Sequence, residues 1–542
     1  MLALREITML QFMNQITDKP GWDHKIFDNI ITQKWKDEVL QSPNVNFTNK
    51  MADYCINKLK YKAELFKQTG FIHIYNRDVI KSDTAIPVDL QAALKTAITP
   101  LENVPKCKQD WHPGSNDMVL DLVHPSLFLL MYGLLHILRD DTVDLENYIN
   151  HSGQDEMVPE PPEEETTINT LSQAQGGYSR RFQWLPCAVD ISGDTPKIVS
   201  YINNLHPQDH AALYGIVEQI IAHVIPLWNA TLAPLRALND VKTRIQYADI
   251  DYGDLEDLVE KEGPTREDGE DKWTFLDRQE DWKNTKKKQF IVLPNPEPFE
   301  GGSDSSEEDR VDLKTDFDTT ELQIIVKFAN IHLTPEKPEY QGGTWHVEGH
   351  LNEHICATTI YYYDNKNITA SHLAFCQPSS VVLIEDVGYE QGDWAWLESV
   401  YGLENNEPAV QVVGSVEARE GRLVTFPNIL QHRVQPFRLV DPTKPGHRKI
   451  LALFLVDPNI RIISTANIPC QQRDWWGREV AGALKNLPVE LRDRVVWDVG
   501  DFPISLERAK ELREELMAER KEYLLSYQET NFSSVEISLC EH

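Results

Sequence analysis

From residue 321 onward the chain reads as a series of short apolar runs: LQIIVKFANIHL (322–333), ICATTIYYY (355–363), SVVLIED (380–386), AVQVVGSV (409–416), RLVTF (422–426), HRVQPF (432–437) and KILALFLVD (449–457). β-Branched and aromatic residues fill these runs, turn-forming residues separate them, and most lack a helical period. Six or seven such strands within about 140 residues predict an antiparallel barrel or sandwich. The interruption GYEQGDWAWLESVYGLENNEP (388–408) combines glycines with Trp394, Trp396 and Tyr401. That composition fits a mobile cover over the open end or an apolar cap.

Upstream of this core the texture is different. Residues 1 to about 150 read mainly as helices, as in WDHKIFDNIITQKWKDEVL (22–40), where Ile26, Ile30, Trp35 and Val39 recur at helical spacing. A further helical period runs through LYGIVEQIIAHVIPLW (213–228). Two acidic stretches, about 154–167 and 252–310, read as surface insertions. Downstream, SLERAKELREELMAERKEYLL (505–525) places Leu506, Ala509, Leu512, Leu516 and Tyr523 on one stripe, with Ser505 as the cap. The expected organisation is α+β: a mainly helical N-terminal region (1–315), a strand-rich core (316–465) and a C-terminal helical extension (466–542).

Composition narrows the function. The 542 residues are 41% hydrophobic and 25% charged, an ordinary globular balance. Subtracting 85 Asp and Glu from 53 Lys and Arg gives −32, a field that repels phosphate backbones and anionic lipids, so nucleic acid and membrane are not expected partners. Without a signal-like opening or a long uninterrupted apolar run, a cytoplasmic location is expected. Seven scattered cysteines form no CxxC pair, which supports neither a disulfide framework nor a zinc finger.

The chemistry concentrates in GGTWHVEGHLNEH (342–354). On an extended segment His346 and Glu348 leave the same face and can share a cation. His432 lies 86 residues on (432 − 346), at the start of a later strand. Two imidazoles and one carboxylate make the facial triad of non-haem Fe(II) oxygenases, with positions left for a chelating cosubstrate and O2. Arg448 begins the apolar strand ending at 457, where a guanidinium needs an anion such as the C5 carboxylate of 2-oxoglutarate. Tyr362 is placed to donate to the same carboxylate. His350 and His354 are candidates for a cupin-like cluster or for outer support. His112, His124 and His206 each precede Pro and read as turn or capping residues. Tyr201, Asn203 and Asn204 in SYINNLHP, with Trp394, are candidate substrate contacts.

HVEG, IYYYD, GRLVTFPNILQHRV and GHRKILALF resemble the strand phrases of the 2-oxoglutarate/Fe(II) oxygenase superfamily, including its prolyl-hydroxylase branch. Over nearly the full length, phrases such as ITDKPGWDHKIFD, DWHPGSND, LDLVHPSLF, FQWLPC, SYINNLHP and LTPEKPEYQGGTWHVEGHLNE resemble a large, mostly fungal domain-of-unknown-function family, considered a divergent member of that superfamily. The resemblance implies a double-stranded β-helix (jelly-roll, cupin-like) core, His346, Glu348 and His432 as iron ligands, and Arg448 as the 2-oxoglutarate anchor. It further implies hydroxylation, desaturation or oxidative ring closure of a small amino acid or derivative, as in fungal secondary metabolism. Competing expectations are a jumonji-like protein hydroxylase or demethylase, a cupin-type dioxygenase without 2-oxoglutarate, and a catalytically silent binding protein. The oligomeric state is not legible.

Overall fold

A computed structural model describes residues 1–43, 45–75, 78–138, 141–149, 156–162, 177–236, 243–301, 310–378, 387–389, 393–497 and 503–533. The strands that position the site are β1 (Ile72–Ile74), β2 (Val79–Ser82), β3 (Asp110–Trp111), β4 (Val119–Val123), β5 (Cys187–Asp190), β6 (Leu322–Leu333), β7 (Ile355–Lys366), β8 (His372–Pro378), β9 (Val410–Glu417), β10 (Leu423–Pro427), β11 (Gln431–Val434) and β12 (Gly446–Val456). Around them lie helices α1 (Leu4–Thr17), α2 (Asn49–Thr69), α3 (Ala211–Arg236), α4 (Leu255–Glu262), α5 (Lys272–Phe290) and α6 (Leu506–Ser533).

The fold is mixed α and β, with antiparallel sheets that do not close into one hydrogen-bonded barrel. The large sheet runs β1-β2-β10-β7-β12-β6-β4-β3, with β5 also pairing along β6. A smaller sheet runs β9-β8-β11. Side-chain alternation gives the large sheet two distinct faces. Ile324, Val326 and Phe328 of β6 and Leu451, Leu453 and Leu455 of β12 share a core with Val217, Ile221 and Trp228 of α3. By length and composition α3 could cross a membrane. Here it is the core helix covering that outer face. The opposite, inner face carries Ile325, Ala452 and Phe454 at one end and Ile360, Tyr362 and Val424 further along. It meets the small sheet where Phe375 of β8 packs edge-on against Phe426 of β10, ring centroids 5.0 Å apart.

Several expectations are corrected. The region before residue 316 is not simply a helical support, because β1 to β5 hydrogen-bond into the large sheet. These strands are two to five residues long, too short to show an alternation in sequence. The helical stripe through Ile26, Ile30, Trp35 and Val39 is broken at Asp28, whose carboxylate accepts from the N–H groups of Ile30 and Ile31 and starts a new helix at Asn29. Ile26 is buried whereas Ile30 is exposed. The stretch 252–310 contains α4 and α5, and α5 docks through Lys287, 3.6 Å from Asp393. The SVVLIED run, residues 154–155 and 163–167 of the first acidic stretch, and residues 302–309 lie outside the described residues. HLAFCQP, not singled out in the sequence, forms β8.

The helix at the C-terminal end follows its stripe. Ala509, Leu512, Leu516 and Tyr523 are buried, and Ser505 Oγ accepts from the N–H of Arg508. On the same side Arg513 reaches Asp110 with both terminal nitrogens, at 2.6 and 3.1 Å. Arg520 reaches Glu353 at 2.8 Å. The helix is therefore pinned beside the inner face by two guanidinium–carboxylate contacts as well as by apolar packing.

Candidate metal centre

The segment before β7 runs alongside β11, and His346 and His432 exchange backbone hydrogen bonds of 3.2 and 2.9 Å. This bridge sets the two imidazoles side by side, ring centroids 4.4 Å apart. Glu348, two residues on, returns to the same face. Its Oε1 lies 3.9 Å from His346 Nε2 and 3.3 Å from His432 Nε2. One ligand atom from each residue fits within 4.8 Å of the others, a spacing suited to a shared metal ion. Thus the three residues separated by 86 positions (432 − 346) meet at one point.

The surroundings prepare these groups as ligands. His346 Nδ1 lies 2.8 Å from the Thr344 carbonyl, so that nitrogen carries the proton and Nε2 keeps its lone pair. The protein mass around its ring and the neighbouring His432 push the His346 pKa down to about 4, against the pull of Glu348. Burial works against the Glu348 carboxylate, but the His432 hydrogen bond and nearby positive charge hold its pKa at about 2. At neutral pH His346 is neutral and Glu348 ionised, the forms that bind metal. Asn428 fixes the backbone of Glu348 from both sides, accepting from its N–H at 2.9 Å and donating to its carbonyl at 2.8 Å. His346 keeps 37% of its side-chain surface open, so the cluster is reachable from solvent.

Arg448 lies on the inner face of the large sheet, opposite Ile331. It is 2% exposed and is held between the rings of Phe437 (4.9 Å) and Tyr362 (5.6 Å). Its Nη1 donates to Ser371 Oγ at 3.1 Å, while Nε is buried without a partner. Among the described residues no carboxylate lies within 4 Å of this guanidinium. Burial accordingly pulls its pKa down. A surface ion pair, the ordinary place for an arginine, is excluded by this burial. Tyr362 is equally buried, a member of the inner core whose ring also faces the guanidinium.

Other candidates separate from this centre. His350 packs against Tyr523 and His354 against Tyr178, and neither joins the three-residue cluster, which weakens the cupin-like arrangement. His112, Asp121 and His124 form a second compact group. There His124 Nδ1 accepts from the Ser126 N–H, so its Nε2 carries the proton and faces Asp121 as a donor rather than a ligand. His206 likewise accepts from the Asp209 N–H, the capping role expected of it. In SYINNLHP, Tyr201 donates to the Ile468 carbonyl and Asn203 to that of Leu127, while Asn204 holds a left-handed turn at φ 66°. The Tyr201 ring packs with Tyr148 and Trp475. Trp394 is 39% exposed, and its segment rests on Trp396, Met1, Tyr247 and Ile291. The structure brings none of these four substrate candidates to the triad. Asn428, Ser371, Lys327 and Arg520 were not picked out in the sequence. Asn428, Lys327 and Arg520 lie within quoted phrases, PNILQHRV, LQIIVKFANIHL and SLERAKELREELMAERKEYLL, whereas Ser371 lies in none.

With this geometry established, comparison with known proteins places the chain. The protein family of unknown function DUF4246 matches residues 49–479, and its N-terminal domain of unknown function matches residues 1–38. The chain belongs to the DUF4246 family. Comparison with curated proteins gives no match. Solved structures with local likeness include a selenomethionine-labelled Fe(II)/α-ketoglutarate-dependent dioxygenase, TqaL (16% identity, 27% of this chain and 47% of that one, TM-score 0.17). Two others are a bsmA homologue from Methylobium petroleophilum PM1 (13%, 26% and 42%, TM-score 0.16) and IDO from Bacillus thuringiensis (11%, 26% and 47%, TM-score 0.15). The match spans less than half the length of each.

Proposed function

We propose that this DUF4246 protein is a non-haem Fe(II)- and 2-oxoglutarate-dependent oxygenase that oxidises a small amino acid or derivative. The observation that carries the reading is the pairing of a two-histidine, one-carboxylate cluster with a buried guanidinium that has no acid partner. A facial triad leaves room for a chelating cosubstrate, and a buried unpaired cation costs stability unless an anion is to meet it. We read the two sheets as a double-stranded β-helix. Successive segments support this by alternating: β6 large, the His346 bridge small, β7 large, β8 and β9 small, β10 large, β11 small, β12 large.

Bound iron with 2-oxoglutarate and O2 would supply the oxidising power, releasing succinate and CO2 as a substrate C–H bond is oxidised. The protein's own groups do the rest. Thr344 fixes the His346 tautomer, Asn428 holds the Glu348 backbone, and Phe426 braces the His432 ring at 4.8 Å. Arg448 and Ser371 would receive the distal carboxylate of the cosubstrate, with Tyr362 and Phe437 excluding water around it. Anaerobic addition of Fe(II) and 2-oxoglutarate to the metal-free protein tests this reading. The expected result is a weak visible metal-to-ligand band requiring both components. Iron binding without such a band would leave a metal protein that does not use 2-oxoglutarate.

A further inference from the structure

Lys327 lies in the middle of β6, directly opposite Ala452 of β12, with Ile360 of β7 in the next place across the sheet. That row belongs to the inner face. Lys327 is half-buried there, and among the described residues it has no hydrogen bond and no carboxylate within 4 Å. A lysine in the central strand of a sheet is normally paired or absent, because burying an ammonium without a counter-charge is costly. Its neighbours on the face, Ile325 and Ala329, offer nothing polar.

On one side, Asp121 of β4 is paired with Ala329, the next inward position of β6 after Lys327; on the other, the row holding Lys327, Ala452, Ile360 and Val424 adjoins the row that ends at Phe426, on which the His432 ring packs. Lys327 therefore stands between the candidate metal centre and the second His–Asp–His group. Asp121 Oδ2 lies 2.8 Å from His112 and 3.9 Å from Arg513, while its Oδ1 is buried without a hydrogen-bond partner and neither oxygen is within 4 Å of the Lys327 ammonium. Arg520 also faces this region, but Glu353 holds it. Arg448 is engaged elsewhere on the face: the position opposite it is Ile331, four residues and roughly 13 Å along β6 from Lys327, and its guanidinium is held at Ser371 between Tyr362 and Phe437. Two separate cations thus line one face.

We propose that Lys327 is a substrate-binding residue and that the substrate of this centre is a carboxylate-bearing small molecule, whose carboxylate pairs with the Lys327 ammonium. The assignment rests on the oxygenase reading and adds to it the charge of the substrate and the residue that selects for it. A compact ammonium on a flexible stem suits an anion held by charge rather than by a bidentate fork. An uncharged analogue would leave the ammonium unpaired, a loss that makes such sites strongly discriminating.

The test uses the full chain reconstituted with Fe(II). Anaerobic 2-oxoglutarate titration by the visible band is followed by measurement of succinate formation with the standard amino acids, simple mono- and dicarboxylic acids, and the primary amide of each. The expected result is that the stimulating compounds are acids and that their amides are at least about tenfold poorer. In Lys327→Met the half-saturating concentration of a stimulating acid should rise about tenfold or more, with 2-oxoglutarate affinity within about twofold, and Lys327→Arg should recover most of the loss. The comparison of acids with amides needs only the unaltered protein, so a poorly folding variant does not remove the test. The proposal is overturned if amides stimulate as well as acids, if no acid stimulates while the band forms, or if Lys327→Met weakens 2-oxoglutarate instead. It is also overturned if Lys327→Met only lowers thermal stability, the signature of a lysine that merely balances Asp121. Absence of the band in the unaltered protein overturns the oxygenase reading and this assignment together, whereas the other outcomes leave that reading standing.

Discussion

Arg448 has two opposed consequences that one substitution separates. As a buried guanidinium without an acid partner it costs the cosubstrate-free protein stability, and in the proposed reading it anchors the cosubstrate's carboxylate. Arg448→Met, which keeps much of the apolar stem's volume, should therefore raise the melting temperature of the cosubstrate-free protein. It should also weaken 2-oxoglutarate by about 2–5 kcal/mol in the anaerobic titration. A lowered melting temperature with unchanged affinity would mean that the side chain is only structural packing between Tyr362 and Phe437. His350 gives a pH prediction. It is 4% exposed against Tyr523, and burial with the nearby Arg520 charge lowers its pKa to about 3. The unfolded chain takes up this proton near pH 6.5, the folded one only near 3, so its contribution to stability is intact above pH 6.5 and is lost as pH falls toward 3. The total is on the order of 3–5 kcal/mol. His350→Gln should flatten the fall in melting temperature of the metal-free protein between pH 6.5 and 4, and an unchanged slope would place the acid sensitivity elsewhere.

At the scale of elements, what the sequence revealed depended on length. β6, β7 and β12 are eleven or twelve residues long and declare themselves as unbroken β-branched and aromatic runs, because both faces are covered. β8 did not, since HLAFCQP mixes His, Gln and Pro into its ends, and β1 to β5 are shorter than any recognisable period. The 388–408 segment was ambiguous between cover and cap, and its packing favours the cap: Trp396 is fully buried with Leu397 and Leu403, and Gly402 sits against Leu4 of α1. Trp396→Ala should cost about 3–5 kcal/mol of stability, as for other large-to-small core changes. Trp394→Ala, at a half-exposed position, should cost far less and leave succinate formation coupled to product. Uncoupled succinate release in Trp394→Ala would restore the cover.

Over the whole molecule the site was more legible than the fold around it. The HxE pair and the distal His432 are legible as one cluster because a shared metal ion would demand particular residue types, and the fold does bring the three together; the role of Arg448 belongs to the proposal. Their supports, Asn428, Ser371 and Lys327, are ordinary residues that gain meaning only when distant strands bring them inward. The same geometry decides how the molecule should respond to gain or loss of the proposed metal. The cluster lies at the small sheet, on one backbone bridge between His346 and His432, whereas the large sheet and its outer core with α3 are complete without it. Metal binding then stabilises only by mass action, about 2.7 kcal/mol at a hundredfold excess over Kd, a small part of what this much buried apolar surface supplies. His346→Ala and His432→Ala should each abolish Fe(II) binding and the upward shift of melting temperature that Fe(II) gives the unaltered protein, while far-UV circular dichroism stays the same. Of the two, His432→Ala should melt somewhat lower, because its ring is 2% exposed and packed on Phe426, whereas that of His346 is partly open. Full-strength iron binding by both variants would move the metal away from this cluster. Collapse of the circular dichroism signal in both would make the ion a structural element rather than a reagent held by a finished fold.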